Sequence, residues 1–131
     1  MKGTATRIWS VALAAAAFTA VAAGPAAAAD KTVLVYRPGQ SAQEWAGRGS
    51  WDDSDDTLCV IVGEHYSHLK ATARIAPASG TGPVFSVTDR SPQSGVCTDN
   101  LPIPEDRLYR MTVTVTQRNG DTYATSSRFY T

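Results

Sequence analysis

Only two cysteines and two histidines occur in the 131 residues, and that scarcity removes most metal chemistry before any position is considered. No Cys-x-x-Cys pair exists to hold a structural zinc, and the His-Glu-x-x-His pattern of zinc proteases is missing. A Gly-x-Ser-x-Gly elbow, which marks the nucleophile of an α/β-hydrolase, is missing too. Cations are not in excess: 12 Lys and Arg stand against 12 Asp and Glu, with no basic block. That balance lacks the electrostatic footprint of a nucleic-acid partner. Nor does any long stretch carry the apolar period of an amphipathic helix, which leaves strands as the main building element.

What is present begins with a leader. Lys2 and Arg7 supply a basic start, Ile8 to Ala23 is an uncharged apolar run, Gly24-Pro25 breaks it, and Ala27-Ala28-Ala29 offers small residues for cleavage. A signal peptide over 1–29 is predicted, with a single secreted, extracellular domain over 30–131. Without Lys2 and Arg7, 10 basic residues face 12 acidic ones, a net charge of −2 that gives no reason to expect membrane association once the leader is gone. Export permits a disulfide, and Cys59 and Cys97 have only each other as partners. By loop entropy such a link stabilises the fold by ~4 kcal/mol.

The clearest local signal is a hairpin between Leu108 and Tyr130. Tyr109, Met111, Val113 and Val115 alternate with Arg110, Thr112, Thr114 and Thr116, the pattern of a strand with one buried face. Asn119-Gly120 turns the chain. A two-residue turn would pair Met111 with Arg128 and bury an arginine. A three-residue loop of Arg118, Asn119 and Gly120, with Gly120 left-handed, instead pairs Val115 with Tyr123, Val113 with Thr125 and Tyr109 with Phe129. The second register is expected, because a slip of one residue exchanges the two faces of a strand.

Elsewhere, short strands are expected over Thr32 to Tyr36, Thr57 to Val62, Leu69 to Ala76 and Val84 to Thr88, with a weak extended segment at Cys97. The continuous apolar run Leu58-Cys59-Val60-Ile61-Val62 reads as a central strand covered on both faces. Gln40 to Asp56 reads as a long irregular loop, with one helical turn over Ser41 to Ala46 capped by Ser41 and Glu44. The fold class that follows is all-β: an immunoglobulin-like, two-sheet antiparallel sandwich of about seven short strands.

Leu101 through Val115, with Pro104 before Tyr109-x-Met111-x-Val113-x-Val115 and the turn at Asn119-Gly120, resembles the penultimate strand and last hairpin of fibronectin type III domains. The resemblance covers about a quarter of the chain. It implies a sandwich and nothing about a ligand, since one fold hosts many functions. The disulfide pattern of immunoglobulin domains is not reproduced: Trp45 and Trp51 both precede Cys59, and Gly95 stands two residues before Cys97.

Candidate site residues fall in two groups. Trp45 and Trp51, with Asp52, Asp53, Asp55 and Asp56, combine apolar ring faces with hydrogen-bond acceptors, the mixture that holds a sugar or peptide. The same indoles would serve equally to plug the open face of a sandwich. The four carboxylates offer oxygen ligands for Ca²⁺, although the glycine and distal glutamate of an EF-hand loop are missing. Glu64, His65 and His68 would make a weak metal site only if a turn gathered them. No cofactor is expected beyond that calcium alternative.

Three function classes remain. The leading expectation is a non-enzymatic module that binds an extracellular protein or carbohydrate through loops at one end. A secreted protease inhibitor would instead present Asp89 to Ser94 as a braced loop around Pro92. A hydrolase ranks last, and would need a pocket joining His65 or His68 to carboxylates.

Overall fold

The computed structural model describes residues 28–39, 44–65, 67–92 and 94–131. The expected leader lies outside them except for its last two residues, as does the Ser41 end of the expected helical turn. Eight strands form: β1 (Lys31–Tyr36), β2 (Trp45–Asp52), β3 (Thr57–Val62), β4 (His68–Pro77), β5 (Phe85–Asp89), β6 (Val96–Cys97), β7 (Leu108–Gln117) and β8 (Thr122–Tyr130). They build two four-stranded antiparallel sheets, ordered β1-β2-β3-β6 and β5-β4-β7-β8. The chain changes sheets between β3 and β4, between β5 and β6, and between β6 and β7. Among the described residues no helix is long and apolar enough to cross a membrane.

The core is the sum of the inward faces. Val33, Val35, Trp51, Leu58, Val60 and Val62 from the first sheet meet Ala71, Ala73, Ile75, Tyr109, Met111, Val113, Val115 and Phe129 from the second. The period of two therefore does what it should: alternate residues of each strand leave water together, each large one stabilising the fold by roughly 1.5–3 kcal/mol. The expected hairpin register is found. Val115 opposes Tyr123, Val113 opposes Thr125 and Tyr109 opposes Phe129, with Gly120 at φ 94°. The Gly120 N–H donates to the Gln117 carbonyl at 3.0 Å and the Gln117 N–H to the Asp121 carbonyl at 2.8 Å, closing the three-residue loop.

One strand is a correction. Gln40 to Asp56 is not one irregular loop, since Trp45–Asp52 is β2 and pairs with β1 and β3. Trp45 and Ala46 lie in that strand rather than in a helical turn. The reason it escapes recognition is physical. Two of its inward positions are Gly47 and Gly49, so the apolar alternation is blank where it should be strongest. Those blanks are required by the opposite sheet: a Cβ on Gly49 would lie 2.5 Å from Val113 Cγ2, and one on Gly47 would overlap Val115 Cγ2. The sheets approach closely here, with Ala71 and Ala73 completing a small-residue centre.

A second correction concerns β3. It is interior to its sheet, between β2 and β6, but only one face is covered: Leu58, Val60 and Val62 are buried while Cys59 and Ile61 are half-buried. Cys59 and Cys97 oppose each other across β3 and β6 and are disulfide-bonded, with Cα atoms 4.0 Å apart. Asp89, at the end of β5, is 1% exposed and accepts the Val62 N–H through Oδ2 at 2.9 Å and the Ser91 N–H through Oδ1 at 2.9 Å.

Candidate functional site

The two tryptophans of β2 do not act together. Six residues apart in a regular strand, they would share a face. An irregularity between Val35 and Tyr36 makes Tyr36 oppose Trp45 while Val35 opposes Gly47, leaving Ala46 as an extra, buried residue. This bulge turns Trp45 outward and keeps Trp51 inward. Trp51 is 1% exposed, its ring centroid 5.8 Å from that of Phe129. Its Nε1 reaches Asp53 Oδ1 at 3.4 Å. Trp51 is thus a core residue and offers no platform to a ligand.

The aspartates are committed to shaping the β2–β3 turn. Asp52 Oδ1 accepts the Ser54 N–H at 3.0 Å and the Ser54 hydroxyl at 2.7 Å. The hydroxyl bond is the main cause that holds the Asp52 carboxyl below its ordinary pKa. Asp53 donates its N–H to Asp30 Oδ1 at 3.0 Å, the Asp55 carbonyl accepts from Thr57 Oγ1 at 3.0 Å, and Asp56 takes φ 49°. The segment holding Glu64, His65 and His68 is indeed a turn, closed by the His68 N–H on the His65 carbonyl at 2.9 Å. It brings the two imidazoles to 5.4 Å, where His65 Nδ1 faces the Ser67 hydroxyl at 2.6 Å and His68 Nδ1 the Gly63 carbonyl at 3.0 Å. Among the described residues, no three His, Cys, Asp or Glu side chains are gathered as a cation would need.

What the fold does assemble is an aromatic and aliphatic face on the outside of the first sheet. Directly opposed residues of antiparallel strands share a face. Leu34, Arg48 and Ile61 therefore form one row across β1, β2 and β3, and Tyr36 stands opposite Trp45 beside it. Arg48 carries its guanidinium carbon 5.6 Å from the centre of the Trp45 ring, a cation–π contact that orients both groups. Tyr36 is 40% exposed, and Leu34, Trp45 and Ile61 are half-buried. A neighbouring row adds Ser50 and the Cys59–Cys97 disulfide.

Of these residues Trp45 and the two cysteines stand out in the sequence. The signal for Leu34, Tyr36 and Ile61 lies in the apolar runs of β1 and β3, Val33-Leu34-Val35-Tyr36 and Leu58 to Val62, where apolar side chains occupy both faces, and Arg48 and Ser50 have none. Such runs point to burial on both sides, and here one side remains open. Comparison with family models, with curated proteins and with solved structures finds no match for the chain.

Proposed function

We propose that the chain is an exported, non-enzymatic, immunoglobulin-like binding module that takes an extracellular protein partner on the outer face of its first sheet. The observation that carries this reading is the grouping of Tyr36, Trp45 and Arg48 over Leu34 and Ile61, half-open to water. Tyr, Trp and Arg are the residues that dominate the energetics of protein interfaces, and aliphatic neighbours supply the dry centre they need. A sugar platform would pair its rings with open carboxamides or carboxylates, whereas here Arg48 is engaged by an indole and the one carboxylate at the end of the face, Asp52, is bonded to Ser54. The pairing of β2 with β3, of β3 with β6, and of β4 with β7 beside the β7–β8 hairpin supports the immunoglobulin-like reading. Contacts then come from a sheet face rather than from end loops.

The test is site-specific photocrosslinking on the producing cells and in their medium, with the reactive group at position 36 or, as a control on the opposite sheet, at position 126. A discrete protein adduct from position 36, lost in Trp45→Ala and missing from position 126, supports the reading. Equal labelling from both positions, or none from 36, counts against it. The inhibitor reading keeps one specific support. Asp89 fixes the Ser91 N–H at the root of the exposed Arg90-Ser91-Pro92 stretch, and Cys97 ties the far side of that loop to β3. Slow cleavage after residues 90–94 by a secreted protease panel would favour it.

A further inference from the structure

The outer face of the second sheet has a different chemistry. Four of the ten basic residues beyond the leader stand on it, Lys70 and Arg74 on β4, Arg110 on β7 and Arg128 on β8, and none of the 12 acidic residues does. Arg110 and Arg128 are directly opposed in the ladder. Arg74 opposes Thr112, which places it diagonal to Arg110. Side chains so placed start ~5 Å apart when opposed and ~7 Å apart on the diagonal, and like charges at those separations destabilise a sheet. No ion pair among the described residues engages Arg74, Arg110 or Arg128.

Between and beyond the cations the face is paved with hydroxyls. Thr72 and Thr88 share a hydrogen bond of 2.8 Å, Thr112 and Ser126 another of 2.8 Å, and Thr114 and Thr116 continue the row along β7. At the arginine end the surface sinks into a depression of about 290 Å³ between Arg74 and Arg110, bounded by Thr112, Pro77 and Val84. An adjoining hollow of about 560 Å³ is lined by Arg128, Arg107 and Leu108, and also by Asp106, whose carboxylate is outnumbered there by the two guanidinium groups. Tyr130, opposite Leu108 and 37% exposed, ends the track with an open ring.

From this we infer that the outer face of the second sheet binds a linear polysaccharide bearing carboxylate groups. Guanidinium forks match planar carboxylates in pairs. The threonine and serine hydroxyls donate to and accept from sugar hydroxyls between successive acid groups, and Tyr130 offers a stacking surface for one pyranose. Lys70, four residues along β4 from Arg74 and hence ~13 Å away, extends the track so that a chain is read rather than a single anion. A protein partner would need an apolar centre here, and an anionic membrane would need apolar side chains to insert. The middle of this face has hydroxyls in those positions. The inference is independent of the aromatic face on the first sheet.

Affinity electrophoresis of the full chain through polygalacturonate tests it, with neutral dextran, dextran sulfate and phosphatidylglycerol vesicles as comparisons. Retardation by polygalacturonate and not by dextran is expected, weakening as salt screens the charges. Arg74→Gln with Arg110→Gln should weaken binding about tenfold or more, since each removes a charge-assisted hydrogen bond, while the melting temperature stays level or rises. The charge-matched pair Lys31→Gln with Arg37→Gln, on and just after β1 of the other sheet, should bind as the parent does, and so should Trp45→Ala. Should the Arg74 and Arg110 pair fail to fold, Arg128→Gln alone must show the same direction of change. Failure of the parent to bind, equal weakening by the two paired variants, or tighter binding to dextran sulfate or vesicles than to polygalacturonate would overturn the inference.

Discussion

Asp89 accepts the backbone N–H of Val62 at 2.9 Å, which joins β5 of one sheet to β3 of the other through a carboxylate that is 1% exposed. The same side chain holds the Ser91 N–H, so its removal strands two donors, one of them deep in the sandwich. Asp89→Ala should cost about 2–4 kcal/mol, the penalty of buried polar groups left without partners. Denaturant unfolding measures it. A loss below ~1 kcal/mol would show that the bond does not brace the two sheets.

The close approach at Gly47 and Gly49 gives a second expectation. Gly49→Ala puts a methyl group against Val113 Cγ2, in a place with no room for it, and should destabilise by about 1–3 kcal/mol, as overpacking does. Val113→Ala alone opens a cavity and also destabilises. Combined, the two changes should be less harmful than their sum, and a double-mutant cycle reads that coupling. Strict additivity would mean that the sheets separate rather than that the two side chains collide.

These glycines also mark the limit of what the sequence discloses. Where a large side chain faces inward at every second position, as in β7, both the strand and its register are legible from the residues alone. Burying Arg128 is costly enough to choose between two turns that differ by one residue. In β2 the inward positions are empty because Val113 and Val115 come from more than sixty residues further along and fill the space first. No local pattern records that. The candidate site is hidden for a related reason: one extra residue at Ala46 decides which tryptophan faces water, and a bulge has no signature of its own in residue types. The outer row Leu34, Arg48 and Ile61 exists only once β2 is seen to lie between β1 and β3.

The two tryptophans should therefore respond oppositely to truncation. Trp51→Ala removes an indole packed on Phe129 and should cost ~3–5 kcal/mol. Trp45→Ala removes a half-buried ring that lies against the guanidinium of Arg48, and should cost ~1 kcal/mol or less, in the range of other partly exposed substitutions. Thermal unfolding of the two variants side by side checks the bulge directly, because a regular strand through Ala46 would make both losses large.

Tyr109 supplies the pH dependence. Its ring is buried against Phe129, with centroids 6.3 Å apart, and no protein group among the described residues bonds its hydroxyl. Burial raises the phenol above its ordinary pKa, with the nearby charge of Arg107 acting the other way. The sign follows from which state holds the proton. Below pH ~10 the phenol is neutral folded and unfolded, so it adds no slope. Above that, the unfolded chain ionises first while the folded chain keeps its proton, and stability falls as pH rises. Tyr109→Phe should remove this alkaline limb. At neutral pH the same substitution should leave the melting temperature unchanged or raise it, since it takes away a buried hydroxyl without a bonded partner. Melting curves of the parent and Tyr109→Phe between pH 7 and strongly alkaline buffer test both halves. A Tyr109→Phe protein that is less stable at pH 7 would show that the hydroxyl is bonded after all, and parallel alkaline losses would assign the limb to other groups.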